Sequence, residues 1–446
     1  MSVSRTLAEF VTTADTLPAV VRAAGRRALL NMTGCAIGGA GEPAIDLLVE
    51  QISAFSGPAT ASLIGRNERA DMLWAAYINA AAANIFDYDD THIPTVIHPA
   101  APVGPAVLAL AEARAMQGKP VSGSAMLEAF VVGMEVACRL GLSVHPDHYA
   151  HGWHITSTCG TFGAAMAAGR LLGLTGPQLV DALGHALAQN AGSVETLGTM
   201  SKSLSVGQAA RSGLMSALLA RKGFSGPEAP LEGPRGFLAL HCDAPDLRAL
   251  TGELGLRWEV SNNAFKPYPS GVVLNPVIEA CLALQAEGVE TSRIETITLT
   301  GHPLLRQRTD RPDVATGRLA QVSAQHAVAV CLLRGRADLA AFSDAAVADR
   351  EVRALGRKVA FRDRDSFALD AVEVSLTLAG GQVISRRVDA ARGGLDHPMT
   401  DQELSEKLRC QIVWRGLEID AAALIDALET IEEAEDGSAF LRQTYR

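Results

Sequence analysis

Long stretches of this chain are apolar on every face, and polar residues collect mainly near the ends of those stretches. From residue 18 to about 255 the text reads as helix after helix. Thr16 and Pro18 form a start signal ahead of an apolar and small-residue run through Ala40. Alanine-rich helices are expected over 72–86 and 106–117, then over 126–142 and 158–174. Thr175 with Gln178 three residues on is a capping box, opening a helix that runs through Gln189. Amphipathic stripes are weak here, which is the pattern of helices buried on most sides. Small residues in GTFGAAMAAGR, NAGS and GLMSALLA are spaced for close helix packing.

The rhythm changes after Pro267. Residues 294–300 alternate, and the runs 372–378 and 383–388 flank Ala379-Gly380-Gly381-Gln382, a β-hairpin signature. Helices are expected between the strands, over 322–333 and 344–359, and Thr400 with Glu403 reads as a second capping box. The expected fold is mainly α: a large all-helical domain of residues 1–265 plus 400–446, interrupted by a smaller α+β domain of residues 266–399.

Composition narrows the function classes. At 446 residues with 48% apolar and 20% charged residues, the chain can bury a large core. A net charge of -10 argues against nucleic acid or an anionic membrane as partner, because both select basic surfaces. The seven cysteines form no CxxC pair and sit mostly in helical text, as reduced buried thiols do. No apolar signal core or membrane-length run is present, so a cytoplasmic location is expected. GxGxxG after a strand, GxxxxGK[ST] and GxSxG are all missing, which takes support from dinucleotide, nucleotide and serine-hydrolase readings.

Three clusters carry candidate chemistry. Residues 145–160 read HPDHYAHGWHITSTCG, with His145, His148, His151 and His154 beside Tyr149 and Trp153 in a chain only 5% aromatic. Steps of three rotate successive helical residues by about 300°, so four such histidines cannot share one face, and Pro146 and Gly152 break the run. Proton transfer by one or two of them is weighed against metal ligation and against structural histidine. The second cluster, Phe86-Asp87-Tyr88-Asp89-Asp90-Thr91-His92 followed by His98-Pro99, reads as a solvated turn, a hard-cation site, or a carboxylate network tuning His and Lys neighbours. The third is split. Lysine is scarce, with six in all, and Lys202 in GTMSKSL and Lys266 in KPYPSG lie in apolar or Pro-fixed contexts. Each is read either as a surface charge or as a base or carboxylate binder.

In chain order, FDYDDTH, HP, GWHITSTCGTFGAA, a lysine after HALAQNAGS, ARSGLMSALLA, LEGPRGF and KPYPS resemble the MmgE/PrpD family, over residues 5–440. Members include 2-methylcitrate dehydratases, cis-aconitate decarboxylases and an iminodisuccinate epimerase. The resemblance implies a helical domain with an inserted α+β lid, a homodimer, a small polycarboxylate substrate, and no metal or organic cofactor. It also implies catalytic roles for Lys202, Tyr149, His154 and Asp87, and substrate binding by Thr91, His98, Lys266 and Ser270. Gly271 departs from the pattern, because many members, decarboxylase-like ones included, present His or Cys there; this weighs against decarboxylation. The shared step moves a proton at a carbon next to a carboxylate, and the enediolate-like charge needs cationic or donor groups. The expected activity is therefore epimerisation of a small polycarboxylate, iminodisuccinate in the first place. Lys202 and Tyr149 would be the acid–base pair and His154 the next candidate. A 2-methylcitrate-type dehydratase is the runner-up, a catalytically silent scaffold protein the alternative of another class, and a zinc or magnesium hydrolase the third option.

Overall fold

The computed structural model describes residues 2–14 and 16–445. The chain forms two units, one of residues 1–85, 89–264 and 401–446, the other of residues 86–88 and 265–400.

The larger unit is built from helices whose apolar text leaves little to expose. Those that position the site are α1 (Ala19–Gly39), α2 (Met72–Asn84), α3 (Ala100–Met116), α4 (Gly123–Val144), α5 (Ile155–Leu171), α6 (Gly176–Gln189) and α7 (Ser201–Arg221). α5 is buried along its whole length except at Arg170, as expected of a helix with no polar stripe. A Cβ on Gly163 of α5 would come within 2.6 Å of the Gly133 carbonyl oxygen of α4, and one on Gly213 of α7 within 2.6 Å of the Thr161 carbonyl oxygen. The helix backbones touch at these points, so a larger residue would have to push whole helices apart.

The caps follow the sequence. Thr175 and Gln178 form the reciprocal box at the start of α6, and Asp71 accepts from the amides of Leu73 and Trp74 at the start of α2. α3 begins at Ala100 rather than at 106, with Pro102 in its first turn, where an amide has no helical acceptor to lose. A helix at Val3–Thr13 lies ahead of the start signal read at Thr16 and Pro18.

Two features fix the backbone around residues 90–98. Strand β1 (Thr91–His92) pairs antiparallel with β2 (Asn263–Ala264), Thr91 opposite Ala264 and His92 opposite Asn263. The segment leading into β2 is clamped to α4 by Arg139, which is fully buried beside Glu135 and donates to the carbonyls of Gly252 at 2.7 Å and Arg257 at 2.6 Å. Glu135 in turn accepts from the Val260 amide at 3.1 Å. A buried ion pair is tolerated only when its remaining donors and acceptors are met, as here. His92 adds a pin, with Nε2 3.3 Å from Glu259, whose carboxyl this contact holds down to about 2.

The helix Asp401–Arg415 packs back on α1 within the same unit. There Lys407 donates to Asn31 at 2.8 Å in a buried contact.

The smaller unit is α+β. Strands β3 (Ile294–Gly301), β4 (Val359–Asp363), β5 (Val372–Leu378) and β6 (Val383–Val388) form one sheet in the order β4-β3-β5-β6. The β3/β4 pair is parallel and the other two are antiparallel. Val372, Val374, Leu376 and Leu378 of β5 are buried in a core with residues of α8 (Asn275–Ala286) and α9 (Ala324–Arg334), while Glu373, Ser375 and Thr377 alternate with them. β5 and β6 form the hairpin read from the sequence, turning at Gly380 and Gly381. The helix expected over 344–359 is instead two short helices, Asp344–Ala348 and Arg350–Gly356, followed by strand β4.

The tripeptide Phe86–Tyr88 belongs to this smaller unit although the chain around it does not. Gln321 donates to the Phe86 carbonyl at 2.7 Å, and the Tyr88 hydroxyl donates to the Pro267 carbonyl at 3.0 Å. No described helix is long and apolar enough to cross a membrane. Six cysteines are buried and Cys410 is exposed.

Candidate active site

In the larger unit His98 stands just before α3 and is 8% exposed. Its amide donates to Thr156 Oγ1 of α5 at 3.1 Å. Its Nδ1 lies 2.6 Å from the Asp90 carbonyl oxygen, 3.3 Å from Thr91 Oγ1 and 3.6 Å from Asp89 Oδ1. A carbonyl only accepts, so Nδ1 carries a proton and Nε2 is the nitrogen that can gain or lose one. The carboxyls of Asp89 and Asp90 are both fully buried. Asp89 Oδ2 accepts from Asn84 at 2.8 Å, and Asp90 Oδ2 accepts from Asn263 at 2.7 Å and from the Ala100 amide at 3.3 Å. Burial, with the charge of Asp89 added, pushes the Asp90 carboxyl up to about 7.

His154 caps the N-terminus of α5 and is 4% exposed. Its Nδ1 is 3.0 Å from Ser205 Oγ, and that hydroxyl donates to the carbonyl of Lys202 at 2.8 Å. With its only hydrogen spent, Ser205 must accept from His154, so Nδ1 is again the protonated nitrogen and Nε2 the reactive one. Lys202 lies in the first turn of α7, 6% exposed, so one serine ties the second helix-end imidazole to the lysine's own backbone. The His154 amide donates to the Gly192 carbonyl at 3.2 Å. Gly192 has φ 140°, and a Cβ there would run into Ser157 Oγ, so only glycine lets this segment lie on the start of α5.

The other residues of the histidine-rich stretch go elsewhere. His148 is fully buried, with Nε2 2.9 Å from Thr158 Oγ1 and its ring stacked on His241 at 5.3 Å, near Trp153 and Phe237. Burial first, then His241 and His151, lower its pKa to about 3, so it is neutral and structural. Tyr149 is on the short helix Asp147–Ala150 and is 39% exposed. His145 ends α4 and His151 is exposed, so the four imidazoles occupy four different settings.

In the smaller unit Lys266 is 4% exposed and donates to the Asp87 carbonyl at 2.7 Å, with Asp87 Oδ1 at 3.2 Å. Asp87 has φ 52°, a left-handed conformation that aspartate tolerates better than most residues. Asp87 is therefore the ion-pair partner of Lys266. Ser270 is fully buried, and its Oγ has no hydrogen-bond partner among the described residues. Gly271 has ordinary φ of -58°, and the nearest atoms to a Cβ there would be Val322 Cγ1 at 3.7 Å and the Gln321 carbonyl at 4.0 Å. A side chain fits at 271, so packing does not force the glycine.

Within the larger unit, then, Thr91 joins His98, and His154 joins Lys202 through Ser205. Within the smaller unit Asp87 joins Lys266. Asp89 and Asp90 were read only as members of the acidic cluster, without individual roles, and Ser205 and Thr156 were not singled out from the sequence. Ser205 was within reach of it, three residues beyond Lys202 on a helix. The carbonyls that orient His98 and His154 leave no trace in residue identities.

Buried imidazoles with fixed tautomers, held at helix ends beside a buried lysine, are the equipment of general acid–base chemistry. Residues 5–250 match the MmgE/PrpD N-terminal domain and residues 268–432 the MmgE/PrpD C-terminal domain, so the chain belongs to the MmgE/PrpD family. It is 28% identical over 432 residues to cis-aconitate decarboxylase of Mus musculus, covering 94% of this chain and 88% of that one. The Homo sapiens enzyme of the same name is 27% identical over 428 residues, covering 93% and 88%. The Aspergillus terreus one is 29% identical over 422 residues, covering 89% and 86%.

Proposed function

We propose that this chain is a cofactor-independent epimerase of a small polycarboxylate, iminodisuccinate in the first place, acting by proton removal and return at the carbon next to a carboxylate. The observation that carries this reading is the Ser205 link, in which one hydroxyl binds the His154 ring and the Lys202 backbone carbonyl and so sets a buried lysine and a tautomer-fixed imidazole at adjoining helix ends. Lys202 removes the proton, and Tyr149 returns one to the opposite face. His154, when it carries a proton on Nε2 as well as on Nδ1, donates to the enediolate oxygen on which charge develops. Thr91, His98, Lys266 and Ser270 bind substrate carboxylates, and Asp87 holds Lys266 in place. Gly271 supports isomerisation over decarboxylation, since no acid stands at a position with room for one. The protein acts as a homodimer, which sedimentation at several concentrations tests.

The names of the relatives favour a lyase. Those relatives are named decarboxylases; the second reading rests on the family instead and is a hydro-lyase of the 2-methylcitrate dehydratase kind, in which the same base works with an acid that protonates the departing hydroxyl. Incubating the protein with di-, tri- and tetracarboxylates in D₂O, read by proton NMR, separates the outcomes. Solvent deuterium in an unchanged, stereochemically scrambled skeleton supports epimerisation. An alkene product supports dehydration instead, and carbon dioxide release sinks both readings. Lys202→Ala serves as the control.

A further inference from the structure

We propose that the neighbouring carboxyls of Asp89 and Asp90 hold one proton between them, kept on Asp90, so that Asp89 is the anion that positions His98 and supports its imidazolium form. The proposal rests on the acid–base reading above and adds to it a pair of positioning residues.

The geometry separates the two carboxyls. Both are fully buried one residue apart, where two negative charges without cationic partners are prohibitively costly. Asp89 Oδ1 has the His98 ring nitrogen at 3.6 Å, a group able to carry positive charge. The Asp90 carboxyl meets only neutral donors among the described residues, the Asn263 amide and the Ala100 backbone, both on Oδ2. Oδ1 of each carboxyl is buried with no hydrogen-bond partner among the described residues, so what separates the two is the His98 ring beside Asp89. A buried anion is better placed beside a ring able to carry positive charge than among neutral donors alone, so Asp90 is the member that keeps the proton. The groups facing it are Asp89 and His98 from its own segment, Asn263 from β2, and Cys138 from α4, a buried thiol whose pKa is raised well above the ordinary value. The push on the Asp90 carboxyl, up to about 7, agrees with this division.

The consequence for His98 follows. Its Nδ1 proton is held by the Asp90 carbonyl at 2.6 Å, with the Asp89 anion behind it, so every protonation change falls on Nε2. When Asp90 ionises near neutrality a second negative charge appears beside the ring and Nε2 binds its proton more tightly. His98 therefore titrates in two coupled steps.

Isotope-edited NMR of the His98 ring in the whole, substrate-free protein tests this. Asp89→Asn is expected to lower the His98 titration midpoint by about 1–3 units, the usual effect of removing an opposite charge at this range. It should also cut proton exchange from substrate by about 10-fold or more, with the loss in kcat rather than KM. Asp90→Asn is expected to turn the two-step titration into one, because asparagine is neutral at every pH, like the protonated acid it replaces. An unchanged His98 midpoint in Asp89→Asn, or an unchanged two-step curve in Asp90→Asn, overturns the proposal. Infrared spectroscopy of the unmodified protein covers a variant that fails to fold. It should show a buried carboxylic-acid carbonyl band that disappears as pH rises through about 7, and absence of that band is equally fatal. These readouts need no turnover. Expected titrations without activity on any polycarboxylate would sink the epimerase reading alone, and activity with unaltered titrations would sink this inference alone.

Discussion

His148 and His154 lie six positions apart in the same histidine-rich stretch, yet they inhabit opposite kinds of surroundings. His148 is packed among aromatic rings, with one nitrogen on Thr158 and the other, Nδ1, buried with no hydrogen-bond partner among the described residues. Water and charge are kept from it, and it stays neutral. His154 is also nearly buried, but it meets a hydroxyl that is itself anchored to the backbone of a lysine. The lesson is that density of imidazole along a chain does not locate chemistry. What separates the two is the rest of each ring's surroundings, aromatic rings for His148 and the first turn of the Lys202 helix for His154.

The sharpest way to break this contrast is Lys202→Ala. Exchange of the substrate α-proton should fall by about 10²–10⁴-fold, the range of a lost general base, with thermal unfolding little altered. Similar activity in the variant would remove Lys202 as the base, since the Ser205 bond to the main chain at 202 is unaffected by the substitution. The His148 side is tested by pH. Its folded pKa lies below the ordinary histidine value, so its contribution to stability is complete above about 6.5 and is lost as pH falls toward 3. His148→Phe should therefore lose less stability than the parent on acidification, by up to about 3 kcal/mol, as measured by urea unfolding at pH 7 and pH 4. Identical acid sensitivity would mean that His148 is not the buried neutral group described above. A smaller effect is expected for Ser205→Ala, which frees His154 Nδ1 but removes no reacting group. The cost is about 3–10-fold in kcat, one neutral hydrogen bond's worth, with KM steady. The smallest is Gly271→His, with unfolding free energy within about 0.5–1 kcal/mol of the parent because φ is ordinary and an added Cβ makes only normal van der Waals contacts. Any carbon dioxide released by that variant from a tricarboxylate would show that the glycine sets reaction choice.

Much of the helical unit was legible because its signals are local. The Thr175–Gln178 box and the small-residue helices declare themselves in a few residues each. The hairpin of β5 and β6 was equally plain, with alternation on both sides of two glycines. Strand β4 was hidden because Val359-Ala360-Phe361 is too short to alternate and lies between arginines, while its pairing partner β3 is some sixty residues earlier. In the site, residue types pointed to Asp87, His98, His154, Lys202 and Lys266, but not to their pairings. Asp87 meets Lys266 through its own carbonyl, and His98 is turned by the Asp90 carbonyl. Main-chain acceptors are common to every residue, so no pattern of side chains betrays them.

The placement of residues 86–88 bears on anyone who would build chimeras of this protein. A graft that exchanges only residues 265–400 for those of a cousin would leave behind a three-residue piece whose carbonyl and hydroxyl are bonded by Gln321 and Pro267 of the removed segment. A workable transplant must carry both stretches at once, and a split-gene version cut at the single junction near 265 would strand Lys266 from the aspartate that holds it.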